Sequence, residues 1–140
     1  MSEADPGDAP PPEAEEATAG GARAGRGDAR GSGFWLIALA FGLAVQLVAL
    51  YSPRGGGQPP FPGADKFVHA TIFAVPVIAG LLARLRGSLV VGLAAAHAPV
   101  SEIVQATLLP QRDGDVWDAA ADLTGVLVGW VVARWLVSRR

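Results

Sequence analysis

An all-α integral membrane fold, a four-helix bundle behind a disordered N-terminal tail, is predicted by three features of this sequence. Half of the 140 residues are hydrophobic and the mean hydropathy is +0.35, values unusual for a soluble domain of this size. The apolar residues fall into four runs of roughly twenty, the length that crosses a bilayer core. The runs also lack the polar stripe at 3.6-residue spacing that marks the surface helix of a soluble bundle, since only Gln46 interrupts the first and only His69 and Thr71 the second.

Residues 1–32 form the tail. They are rich in Pro, Gly, Ala and Glu and contain no aromatic or branched aliphatic residue, so they cannot bury enough surface to offset the entropy of ordering. The stretch is too long and too acidic at its start for the n-region of a signal peptide. Residues 33–140 form the membrane domain. Its first span, 34–51, "FWLIALAFGLAVQLVALY", has eighteen residues without a charge and carries Trp35 and Tyr51 at its ends, where amphipathic rings favour the interface. A linker with four prolines and four glycines follows and forbids regular structure. The remaining spans are expected at about 67–85, 88–109 and 117–137, the second and third kinked by Pro76 and Pro99.

Basic residues set the expected orientation. Eight arginines flank the tail, the connection between spans two and three, and the C-terminus, against Arg54, Lys66 and Arg112 in the other two loops. The excess places both termini in the cytoplasm and the two polar loops outside. With no cysteine there are no disulfides, thiol nucleophiles or Cys-based zinc sites. No basic block is interleaved with aromatics, so nucleic acid is not expected as a partner; the lipid bilayer is, and the oligomeric state stays open.

Polar groups then converge at one depth. Asp65 and Lys66 sit at the mouth of span two with His69 a turn further in. Gln105 and Glu102 lie roughly 6 and 10 Å below the outer end of span three, and Asp118 and Asp122 occupy the first turns of span four. Glu102 and Gln105 share a helix face, as do Asp118 and Asp122, whose stripe continues through Gly125 and Gly129 with a spacing that lets another helix approach closely. A carboxylate inside a span costs about 2.5–3.5 kcal/mol, so Glu102 and Asp122 call for a compensating environment. His69, Glu102 and Asp118 are the candidate catalytic groups, and Lys66, Asp65, Gln105, Arg112 and Asp122 the candidate substrate contacts. Asp113 and Asp115 read as ordinary loop charges and His97 as a packed or hydrogen-bonded histidine. The donors of His69, Asp118 and Glu102 would suit a metal, yet nothing in their spacing demands one, and neither metal nor cofactor is expected. A purely structural ion-pair network is the competing account of the whole set.

The segments "DKFVHATIFAVPVIAGLL" and "SEIVQATLLPQRDGDVWDAAADLTGVLVG" resemble the VanZ-like family of small bacterial membrane proteins. The resemblance runs from Asp65 to Gly129 and marks Asp65, Lys66, His69, Glu102, Gln105, Pro110, Arg112, Asp118, Gly125 and Gly129. One departure is Asp122, where the family commonly has Asn. The resemblance implies an inner-membrane location and, through the founding member, an association with resistance to the glycopeptide teicoplanin, without supplying a reaction. The expected function is an outward-facing polar pocket that binds or modifies an anionic or lipid-linked cell-envelope molecule. The alternative is a non-enzymatic assembly or scaffold protein.

Overall fold

The computed structural model describes residues 12–52, 60–109 and 114–139, with side chains from residue 31 onward. Among these residues there are four helices and no strand: α1 (Pro12–Tyr51), α2 (Ala64–Leu82), α3 (Gly87–Leu108) and α4 (Val116–Ser138). The stretches Gly31–Tyr51, Ala64–Leu82, Gly87–Leu108 and Val116–Ser138 are each long and apolar enough to cross a membrane. The chain divides into two compact units, Met1–Gly31 and Ser32–Arg140. In the first, the described backbone, from Pro12 onward, is helical.

The four apolar stretches fall within three residues of the expected spans at both ends, and α2 alone is displaced by three at both, starting and ending earlier than the expected 67–85. Its start follows from Gly63, whose φ of 83° lets the linker turn sharply into Ala64. Its end is a Schellman motif: Leu85 N–H donates to Gly80 O at 3.1 Å, Arg84 N–H donates to Leu81 O at 3.0 Å, and Arg84 occupies the left-handed position at φ 62°. The early start places Asp65 and Lys66 in the first helical turn, so that Lys66 and His69 lie three residues apart on one helix face. Pro76 and Pro99 both lie inside helices that continue past them.

The core of the second unit is made where α2 meets α4. Gly125 and Gly129 remove the side chains that would separate the two helices; a Cβ on Gly129 would stand 2.7 Å from Ala74 O, and one on Gly125 would strike the Ala70 carbonyl. α3 packs against both α4 and α2. Leu50, Phe73, Val77, Ala98 and Val126, from all four helices, form the buried apolar cluster. Ile37, Phe41, Phe67, Leu93, Ile103 and Leu127 are exposed on the outer faces. So much outward apolar surface would be a liability in water and fits a hydrocarbon solvent. Near the C-terminus of α4, Arg134 lies over the Trp130 ring at 5.7 Å and Arg139 over Trp135 at 3.9 Å, aromatic–cation pairs suited to an interface.

Candidate functional site

The first turns of α2 and α4 and the last turns of α3 lie at the same end of the bundle, because α2 and α4 run parallel to each other and α3 returns between them. The close α2–α4 approach at Gly125 and Gly129 carries the polar residues one to two turns earlier on each helix into contact. The result is a cluster in which His69, Glu102, Gln105, Asp118 and Asp122 are all buried, Asp122 completely.

Two centres organise it. At the rim, the Lys66 ammonium donates to Asp118 Oδ1 at 2.7 Å, Asp115 Oδ2 at 3.0 Å and Asp65 Oδ2 at 3.1 Å, matching three N–H bonds with three carboxylates. One turn deeper, His69 Nδ1 pairs with Asp122 Oδ1 at 3.0 Å. Its other nitrogen, Nε2, faces Asp118 Oδ2 at 3.8 Å, and Glu102 Oε1 stands 4.0 Å from Nδ1; both are charge contacts and not hydrogen bonds. Asp118 thus bridges the two centres, with one oxygen toward Lys66 and the other toward His69.

The loop before α4 closes the site. Asp115 caps α4, its Oδ1 accepting from Trp117 N–H at 2.9 Å, while its own amide donates to Glu102 Oε2 at 2.9 Å. Gly114 allows this approach, since a Cβ there would lie 2.8 Å from that of Ala106 and 3.0 Å from Glu102 O. The Asp115 carboxyl is held below its ordinary value, first by the Trp117 amide and then by Lys66. Three polar atoms in the cluster are buried without a hydrogen-bond partner among the described residues: Glu102 Oε1, Asp122 Oδ2 and Gln105 Nε2. Leaving such a group unpaired costs about 1–3 kcal/mol, so the cluster keeps acceptor and donor capacity at a cost in stability.

Of the residues expected from sequence, Asp65, Lys66, His69, Glu102, Gln105, Asp118 and Asp122 are brought together at this end. Arg112, Pro110 and Asp113 lie outside the described residues. Lys66, expected as a substrate contact, has its three donors directed at carboxylates and acts in this arrangement as their counter-ion. Asp115, read as a solvated loop charge, is instead a hub that touches Lys66, Trp117 and Glu102. An acid immediately ahead of an apolar run is an N-cap signal, and that part of its role was readable. His97 lies outside the cluster: its Nε2 meets Tyr51 Oη at 2.9 Å and its ring packs on Phe73 with centroids 5.5 Å apart. An apolar cavity of about 470 Å³ lies along the spans, between α1, α2 and α3, lined among others by Leu43, Phe73, Val77, Leu89 and His97. It does not coincide with the polar cluster. Comparison with protein-family models, with curated proteins and with solved structures gives no match. Chemistry and geometry alone therefore carry the functional reading.

Proposed function

We propose that the chain is a multi-pass protein of the bacterial cytoplasmic membrane, with both termini cytoplasmic. In this reading the polar cluster lies toward the outer face, where it binds or modifies an anionic or lipid-linked envelope molecule. The observation that supports this most is the buried His69–Asp122 pair beside a Glu102 oxygen without a hydrogen-bond partner among the described residues. A histidine oriented by a carboxylate and standing within 4 Å of two further carboxylates is an arrangement able to move a proton. His69 relays the proton, Glu102 and Asp118 serve as acid or base, and Asp122 fixes the imidazole. Gln105 Nε2, a donor without a partner, meets a ligand oxygen. With Lys66 engaged by carboxylates, the positive charge for an anionic group falls to Arg112. The cavity along the spans offers room for an acyl chain.

The test is lipid and envelope-precursor profiling, with teicoplanin susceptibility, in a deletion strain complemented by wild type, Glu102→Gln or Arg112→Ala. One precursor class accumulates in the deletion strain, and Glu102→Gln fails to correct it at normal membrane abundance. Correction by Glu102→Gln as complete as by wild type contradicts the reading. A second reading, in which the cluster only locks the helices of an assembly protein, draws on the fact that the same contacts tie α2, α3 and α4 together. Under it Glu102→Gln lowers the folded amount, and any phenotype falls in proportion, so phenotype per folded molecule separates the two.

A further inference from the structure

We propose that His69, Glu102 and Asp118 hold one divalent transition-metal ion, zinc or manganese by the chemistry of the donors. The proposal deepens the reading above as a ligand-binding site and rests on the same convergence of three helices; with the ion bound, the three side chains act as its ligands in place of relay, acid and base. One ligand atom from each of the three residues lies within 4.8 Å of the other two, and all three residues are at least nine-tenths buried.

What distinguishes the trio from a chance acidic cluster is how each member is anchored. His69 is held through Nδ1 by Asp122, which leaves Nε2 as the coordinating nitrogen. Glu102 is held through Oε2 by the Asp115 amide, leaving Oε1, one of the buried atoms without a partner. Asp118 is held through Oδ1 by Lys66, leaving Oδ2, the atom that faces His69 Nε2 at 3.8 Å. Each residue thus has one heteroatom fixed by a neighbour and the other turned inward. Outer partners of this kind orient metal ligands, a carboxylate behind a histidine above all.

Charge points the same way. Of the three buried carboxylates, Glu102, Asp118 and Asp122, Asp118 alone meets the Lys66 ammonium and shares it with Asp65 and Asp115; with the imidazole neutral, as a ligand must be, the buried acids carry an excess of negative charge. A dication offsets that excess where burial penalises it. Neighbouring ligands of a tetrahedral ion at about 2.1 Å stand roughly 3.4 Å apart; Asp118 Oδ2 stands 3.8 Å from Nε2, and Glu102 Oε1 approaches the imidazole at 4.0 Å on its Nδ1 side, so the carboxylates draw inward toward Nε2 on binding. One imidazole with two carboxylates suits zinc or manganese better than magnesium, which prefers oxygen and water.

The full chain, purified in detergent, stripped with a chelator and exposed separately to Zn²⁺, Mn²⁺ and Mg²⁺, is assayed for bound metal by mass spectrometry and for affinity by calorimetry. About one equivalent of Zn²⁺ or Mn²⁺ binds, and His69→Ala abolishes it. Glu102→Gln, which keeps the shape of the side chain and so the fold, weakens binding at least about tenfold; Asp122→Asn weakens it by about 10–100-fold through lost orientation of the imidazole. His97→Gln, in the second histidine, leaves the stoichiometry unchanged. Folded wild-type protein that takes no stoichiometric Zn²⁺ or Mn²⁺ overturns the proposal, as does binding that survives Glu102→Gln at full affinity. A chain that takes no metal while Glu102→Gln still loses the envelope phenotype removes the ion and leaves the acid–base reading; metal binding with an unaffected phenotype does the reverse.

Discussion

Lys66 is the residue on which the rim of the cluster depends, because a single ammonium faces Asp65, Asp115 and Asp118. Its side chain is 37% exposed and solvent weakens two of the three contacts, but the Asp118 side chain is only 5% exposed and has no water to fall back on. Lys66→Met therefore destabilises the folded protein by about 1–3 kcal/mol, measured by thermal unfolding in detergent; an unchanged midpoint would mean that Asp118 finds another partner. Asp115 adds a pH dependence of known sign. Its carboxyl is held below its ordinary range in the folded chain, so its contribution is complete above the ordinary, unfolded pKa and is lost as pH falls through the lower, folded one. The N-terminus of α4 accordingly loosens in acid, and Asp115→Asn, which keeps a capping oxygen but not the charge, flattens that dependence in hydrogen exchange of the first turn of α4. His69, Glu102 and Asp118 were legible in the sequence because a charged group inside an apolar run is too unfavourable to be accidental. The reach of Asp115 to Glu102 was not, since it is made by a backbone amide whose direction depends on the tight approach at Gly114.

Among the elements, the α2–α4 contact decides where the polar side chains end up. Gly129→Ala costs about 1–3 kcal/mol, and Gly125→Ala more, because the added methyl meets the Ala70 and Ala74 backbone and not a movable side-chain tip. Gly92→Ala is the control: in α3 a Cβ at this position meets nothing within 4 Å, and the substitution stabilises by about 0.5–1 kcal/mol through helix propensity. Equal effects at the three sites, read as unfolding midpoints, would deny the close contact. The glycine pair itself was readable as a packing face, but its partner was not: alanines occur in α2 and α3 alike, and only the fold selects Ala70 and Ala74. The C-terminus of α2 was misplaced for a related reason. Schellman ends usually carry glycine at the left-handed position, and Arg84 stands there instead, so the sequence offered no stop signal.

For the molecule as a whole, four apolar helices were legible from hydropathy because a bilayer forces every backbone group to be satisfied within its own helix. The proposed orientation rests on the arginine bias and is open to a direct check, made simple by the absence of cysteine. Phe61→Cys and Val116→Cys, at the polar end, react with an impermeant thiol reagent in intact cells, whereas Leu85→Cys and Ser138→Cys react only after permeabilisation; the opposite pattern reverses the proposed sidedness. Sidedness and ligand both presuppose that distant segments join in one buried cluster at this end, and the His69–Asp122 pair is its innermost contact. The most direct test is a double-mutant cycle on that pair, with His69→Ala, Asp122→Ala and the double variant unfolded thermally in the same detergent. Coupling of about 1 kcal/mol or more is the predicted result for a hydrogen-bonded buried pair. Effects that add within about 0.3–0.5 kcal/mol would place the two residues apart and contradict the account.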